Sequence, residues 1–233
     1  MGKTIIQQAR GHGSFTYRVR RRAYIYEISY PRLDVSGKAK VIGLINSAGH
    51  TAPLAKIRIN DKVFYIPACQ GLVENQEMEI DGTTVALGNI MKLKDIPNDT
   101  PIFNIEIRPG DGGKMVRTSG NYTTIIKRTE KTATLLLSSK KEVELSKECR
   151  ATIGKVAGQG RKLKPVLKAG KKWHMMKARN KLWPRTSAVK FNAVDHPFGG
   201  GRGKRIKSKI AKNNAPPGAK VGHLHPRRTG KRK

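Results

Sequence analysis

Short apolar runs recur through the middle of the chain, and they are rich in β-branched and aromatic residues. They read YIYEIS (24–29), KVIGLI (40–45), AKIRI (55–59), KVFYIP (62–67), IFNIEI (102–107), YTTIIK (122–127), TATLLL (132–137), EVEL (142–145) and TIGKV (152–156). Several alternate with period two. In 55–59, Ile57 and Ile59 point to one face and Lys56 and Arg58 to the other. Turn residues separate the runs: Ser36-Gly37, Asn60-Asp61, Asp81-Gly82 and PGDGG (109–113). Helical period is confined to short pieces near 89–94 and 168–180. Many short strands without βαβ alternation predict a mainly β chain. With no internal repeat, they divide naturally into two small barrels, the boundary falling near Pro97–Pro101.

Charge changes this picture by its distribution. The 233 residues carry 48 Lys+Arg and 16 Asp+Glu, a formal +32. Residues 1–26 hold six basic residues and no acid, and 27–148 hold 17 basic and 15 acidic. Residues 149–233 hold 25 basic residues and one acid, Asp195. The middle therefore has the balance of an ordinary folded domain. The ends are so cationic that they call for a polyanion. An anionic membrane would require an amphipathic helix, which the pattern lacks, and no run approaches the ~20 apolar residues of a span. The start of the chain has no apolar leader run, so a cytoplasmic location is expected. Cys69 and Cys149 fit a reducing compartment as plain core residues.

From Gly158 onward Gly, Pro, Lys and Arg dominate, and such segments cannot bury enough apolar surface to offset the entropy of ordering. Yet Trp173, Trp183 and Phe191 stand among them, which a merely solubilising tail would not need. These are expected to be arms that order on RNA. Arg18, Arg20, Arg21 and Arg22 at the N-terminal end, with Lys171, Lys172, Arg179 and Arg185 further on, would neutralise phosphates. Trp173 and Trp183 would stack on unpaired bases.

Enzyme chemistry finds little support. None of the seven Gly-Lys pairs has the glycine five residues earlier that a phosphate-binding P-loop requires. The run Gly199-Gly200-Gly201-Arg202-Gly203-Lys204-Arg205 is better suited to close approach of backbone to phosphate, neutralised by its Arg and Lys. No Cys-x-x-Cys occurs, and His223 and His225 form the only close histidine pair, so neither a metal nor another cofactor is expected. Asp195-His196 could in principle tune a general base. Neighbours in sequence seldom reach that geometry, and no nucleophile motif accompanies them.

The strings PGDGGKMVRTSGNY (109–122), CRATIG (149–154), LKAGKKW (167–173) and NAVDHPFGGGRG (192–203) resemble the signature segments of the universal large-subunit ribosomal protein two family. They occur in order and at the family's spacing, over nearly the whole chain. The opening MGKTIIQQARGHGS and closing NAPPGAKVGHLHPRRTGKRK resemble its archaeal and eukaryotic branch, and the absence of a zinc site or long insertions favours archaeal. The resemblance implies an OB-like barrel followed by an SH3-like barrel with extensions threading into RNA. The expected divisions are a basic arm at 1–26, barrels at 27–97 and 98–160, and a basic extension at 161–233. It implies a non-enzymatic primary binder of large-subunit ribosomal RNA that supports subunit assembly. Its other implied partners are neighbouring large-subunit proteins and the small subunit across the interface, with no membrane and no small-molecule substrate. It further implies RNA contacts at Arg117, Ser119, Arg150, His196, Gly199, Gly200, Gly201 and Arg202, the C-terminal arm lying near the peptidyl-transferase centre. There the family's histidine, here His196, has been proposed to support peptide-bond formation. Phe198 stands where a second histidine is usual, and it can stack but cannot transfer a proton.

Two other classes compete. An architectural DNA protein would bind duplex DNA as well as folded ribosomal RNA, and a hydrolase or transferase would lose turnover on substitution of His196. In the free protein, limited proteolysis should remove both basic ends while the middle survives; ends as resistant as the middle would show that they fold alone.

Overall fold

The computed structural model describes residues 2–201 and 210–224. The chain divides into two compact units, Arg21–Lys168 and a second made from both ends, Met1–Arg20 with Ala169–Lys233. The architecture is mainly β.

Ten strands build the first unit: β1 (Gly37–Ile45), β2 (Leu54–Ile59), β3 (Lys62–Pro67), β4 (Glu77–Ile80), β5 (Ile90–Lys92), β6 (Ile102–Phe103), β7 (Thr124–Arg128), β8 (Thr132–Leu136), β9 (Glu142–Ser146) and β10 (Arg150–Ile153). Seven form a curled half-barrel in the order β3-β2-β1-β4-β5-β10-β6, and β7-β8-β9 form a small antiparallel sheet. The alternation in β2 is realised, with Ile57 and Ile59 buried and Arg58 exposed.

Two apolar clusters fill this unit, and β5, β10 and β6 form the wall between them. Successive side chains of a strand face opposite ways. Ile90 and Phe103 therefore enter the cluster built around Val41, Ile57 and Ile66, while Met91, Ile102, Ala151 and Ile153 enter that of Ile125, Leu135 and Leu145. A strand buried on both faces loses its polar alternation. That is why the 89–94 piece, helical in its period, instead has the strand Ile90–Lys92 at its centre, followed by a turn. β4, with its Glu-Met-Glu-Ile pattern, carries only two apolar residues to mark it as a strand.

Two expected strands are cut short. IFNIEI ends as a ladder after Phe103 because Asn104 adopts φ 49°, a left-handed turn residue. YIYEIS makes only one bridge, Ile28 to Tyr65, running along the outer edge of β3. Its propensity is that of a strand, but propensity measures fit to a sheet surface, and this segment has one edge and no second partner.

A buried polar network ties the wall to the rest. The Arg150 side chain is fully buried, and its Nε and Nη2 donate to Glu106 Oε1 at 3.2 and 2.9 Å. Nη2 also donates to the Pro31 carbonyl at 2.9 Å, and the Arg150 amide donates to Glu106 Oε2 at 2.9 Å. Asp81 lies 4.0 Å from Nη1. Burial pushes the Asp81 carboxyl pKa up, and Arg150 pulls it down by a lesser amount. Beside them the Tyr30 hydroxyl lies 2.6 Å from both the Asn104 carbonyl and Thr152 Oγ1. Burial raises its pKa, keeping it protonated as a donor. Both cysteines are free and buried, Cys69 in one cluster and Cys149 in the other, and burial pushes the Cys149 thiol up to about 11.

The second unit is thinner. It holds α1 (Ile6–Arg10), α2 (Ala169–Ala178) and a parallel pair of two-residue strands, β11 (Ile210–Ala211) and β12 (His223–Leu224). The two chain ends meet here: Lys177 Nζ donates to the Thr16 carbonyl at 3.0 Å, the Asn180 amide donates to the Tyr17 carbonyl, and the Lys3 amide donates to the Val194 carbonyl at 2.7 Å. Among the described residues of this unit only Ile5, His196 and Ala211 are buried.

Arg150→Met leaves the buried Glu106 carboxyl without its guanidinium partner, and should cost about 3–5 kcal/mol in denaturant unfolding. Pairing it with Glu106→Leu should recover most of that loss. A double variant no more stable than the single one would show that the pair itself, and not the orphaned charge, carries the effect.

Candidate nucleic-acid interface

In the first unit the segment RTSG (117–120) is positioned by the turn that follows Asn104. Arg117 is half-buried, its Nε donating to Asn104 Oδ1 at 2.9 Å and its Nη2 to the Ile28 carbonyl at 3.1 Å. Nη1 is left without a protein acceptor among the described residues. Burial lowers the Arg117 pKa, and nearby Tyr30 and Asp111 partly offset this. Ser119 is buried; its amide donates to Thr51 Oγ1 and its hydroxyl accepts from Arg161 Nε at 3.0 Å. Its side chain thus fixes a neighbouring arginine in place. Arg21 and Arg22 lie exposed in a short 3-10 turn.

Arg150 requires a correction. Expected to touch RNA, it lies inside the fold with its guanidinium committed to Glu106 and the Pro31 carbonyl. A phosphate could reach it only if the wall between the cores opened. Its partner Glu106 had no sequence signal beyond being one acid in an apolar run, 44 residues away. Other residues pass unnoticed in the sequence for the same reason: Arg161 on Ser119, and Lys155, whose ammonium lies 4.5 Å from the Tyr122 ring centroid.

In the second unit α2 buries none of its residues. Lys171 and Trp173 are exposed; Lys172 and Arg179 are half-buried. Both indoles already carry a cation: Arg20 lies 5.9 Å from the Trp173 ring centroid and Lys172 5.3 Å from that of Trp183. Such pairs present a π face and a positive charge together, the combination that single-stranded nucleic acid takes up. Arg18, Arg20 and Arg185 are exposed. Arg202, Lys204 and Arg205 lie outside the described residues.

His196 is buried between Phe191, near-parallel at 6.2 Å, and Phe198, edge-on at 5.1 Å. Its Nδ1 accepts the Phe198 amide at 3.0 Å, so the neutral ring carries its proton on Nε2. Asp195 faces Lys3 at 3.8 Å. Among the described contacts, then, carboxylate and imidazole serve different partners and form no acid–base pair. Gly199 serves this turn directly. A Cβ there would lie 2.2 Å from the Asn192 carbonyl oxygen, so the glycine packs on its own backbone. Gly200 is exposed with φ 82°, and a Cβ on Gly201, at φ 80°, would meet no atom of the described residues within 4 Å.

The description "Ribosomal Proteins L2, C-terminal domain" matches residues 86–218 of this chain. Among curated proteins, "Large ribosomal subunit protein uL2" of Archaeoglobus fulgidus is 43% identical over 237 residues, spanning 100% of both chains. Proteins of the same name from Methanothermobacter thermautotrophicus and Hyperthermus butylicus are 43% and 44% identical over 241 and 239 residues, again across 100% of both.

His50, beside Arg117, yields a pH prediction. Burial, and then the Arg117 charge, lower its pKa from the ordinary 6.5. The unfolded chain therefore takes up the proton first as pH falls below 6.5, and stability should decline there; His50→Gln should flatten that decline. Denaturation midpoints measured from pH 7.5 to 5 check the sign.

Proposed function

Because the chain belongs to the ribosomal protein L2 family, we propose that it is a structural constituent of the large ribosomal subunit that binds ribosomal RNA and performs no catalysis of its own. The observation that carries this is the charge of the second unit. It holds 23 of the 48 Lys/Arg but only one of the 16 acids. Only three of its described residues are buried. A segment so cationic and so poor in apolar burial is held in place by phosphates more than by its own packing.

In this reading Arg18, Arg20, Arg21, Arg22, Arg117, Lys171, Lys172, Arg179, Arg185, Arg202, Lys204 and Arg205 neutralise phosphates, and Trp173 and Trp183 stack on bases. Gly200 and Gly201 let the backbone come close to RNA. Ser119, His196 and Gly199 shape the contact segments. Residues 27–97 and 98–160 are read as the OB-like and SH3-like barrels, which share the wall of β5, β10 and β6 between their apolar clusters, and 1–26 and 161–233 as the basic ends. The work is that of a primary RNA binder in the cytoplasm, supporting large-subunit assembly, association with the small subunit and organisation of the peptidyl-transferase region. Adjoining large-subunit proteins complete its surroundings. The Nδ1 bond of His196 favours a role in shape over one in proton transfer.

Removing residues 169–233 deletes 19 basic residues. The log–log dependence of affinity on salt, for a folded large-subunit RNA fragment, should flatten by roughly 0.7–0.9 per lost phosphate contact. An unchanged slope would place the contacts elsewhere, and equal affinity for duplex DNA would return the architectural alternative.

A further inference from the structure

Within Arg21–Lys168, Tyr24 is 47% exposed yet firmly placed. Its ring lies on the backbone of Gly49, where a Cβ would come within 2.7 Å of Tyr24 Cζ, so no other residue fits beneath it. His50 meets the ring edge-on, centroids 4.9 Å apart at 85°. The loop bearing both is tied down: the Gly49 amide donates to the Ala23 carbonyl at 2.7 Å, and the Ser47 hydroxyl lies 2.8 Å from His50 Nδ1.

This ring borders a groove of about 500 Å³ that Tyr26, Lys114 and Arg117 also line. Tyr26 is braced in turn by Tyr65, 4.9 Å away. Arg117 is held at Nε and Nη2, which leaves its fixed guanidinium one free edge. Two acids share the groove. Asp111 is occupied, since its carboxylate accepts the amides of Ile107, Arg108 and Gly113 and pairs with Lys114 at 3.7 Å. Glu27 is exposed and can only accept hydrogen bonds. An aromatic face pinned from behind, a guanidinium already oriented and a carboxylate acceptor together match one nucleotide: base, phosphate and amino edge. Because the rings and the arginine are ordered beforehand, binding loses little entropy at this side of the contact.

We infer that this groove receives a single unstacked nucleotide of the ribosomal RNA, its base on Tyr24 and its phosphate on Arg117. The inference rests on the proposed RNA-binding function and adds to it a receptor with a defined geometry. Neither Tyr24 nor His50 stands out in the sequence as a contact.

The test uses the full chain and a folded fragment of large-subunit ribosomal RNA. Tyr24→Ala should weaken binding roughly 5- to 150-fold, the range of base–aromatic stacking, with an unchanged salt slope, whereas Tyr24→Phe should stay within about threefold of wild type. Arg117→Gln should instead reduce that slope by about one. In the unmodified chain, ultraviolet cross-linking should join Tyr24 to one unpaired nucleotide, and making that nucleotide abasic should reproduce the Tyr24→Ala loss. Tight, RNA-selective binding by Tyr24→Ala, or no cross-link at Tyr24, overturns the receptor and leaves the RNA-binding reading standing. Failure of the wild type to prefer this RNA over duplex DNA overturns both.

Discussion

The Arg150–Glu106 pair is the constraint on which the central fold depends. Both side chains are fully buried, and the bonds they make join β10 to the segment after β6 and to Pro31, 119 residues earlier. Desolvating two charges offsets much of their attraction, so a buried pair of this kind does more to select one arrangement than to deepen its stability. Here the arrangement selected is the register of β5, β10 and β6. A one-residue slip would exchange the faces of Ala151, Thr152 and Ile153, sending apolar groups to the wrong cluster and breaking the Tyr30–Thr152 contact. The same wall serves two cores, and the polar link ties it to Pro31.

Around that centre the molecule divides its charge according to how much each part can bury. Arg21–Lys168 carries nearly all of the acids and both apolar clusters, and it is able to order its own side chains. The unit made from the chain ends has short helices, few buried groups and repeated pairings of Arg or Lys with an aromatic ring or a backbone carbonyl. These contacts give the ends a shape without giving them much of a core. Such a unit presents cations in a defined pattern with little apolar core of its own.

A basic residue in a signature segment need not be a contact. Arg117 and Arg150 look equivalent in the sequence, each in a short motif beside small residues. One keeps a free edge at the surface and the other is enclosed. The difference arises from Glu106 and Pro31, which no local spacing connects to residue 150. His196 likewise reads as a polar contact, yet its Nδ1 is spent within its own turn. Stabilising a turn and offering a surface are separate uses of the same residue types, and only the neighbours decide between them.

The β character, most strand positions, the inward face of β2, the segregation of charge and the family resemblance were all legible in the order of residues alone. These follow from period, composition and short motifs, all of which are local. They did not reveal the strand Ile90–Lys92, because a segment buried on both faces carries no alternation to read. Nor did they reveal that YIYEIS runs along a sheet edge, that the two ends meet in one unit, or that Gly49 seats Tyr24. Each of those is decided by an atom far away in the chain, through packing or a hydrogen bond that exists only once the tertiary structure has formed.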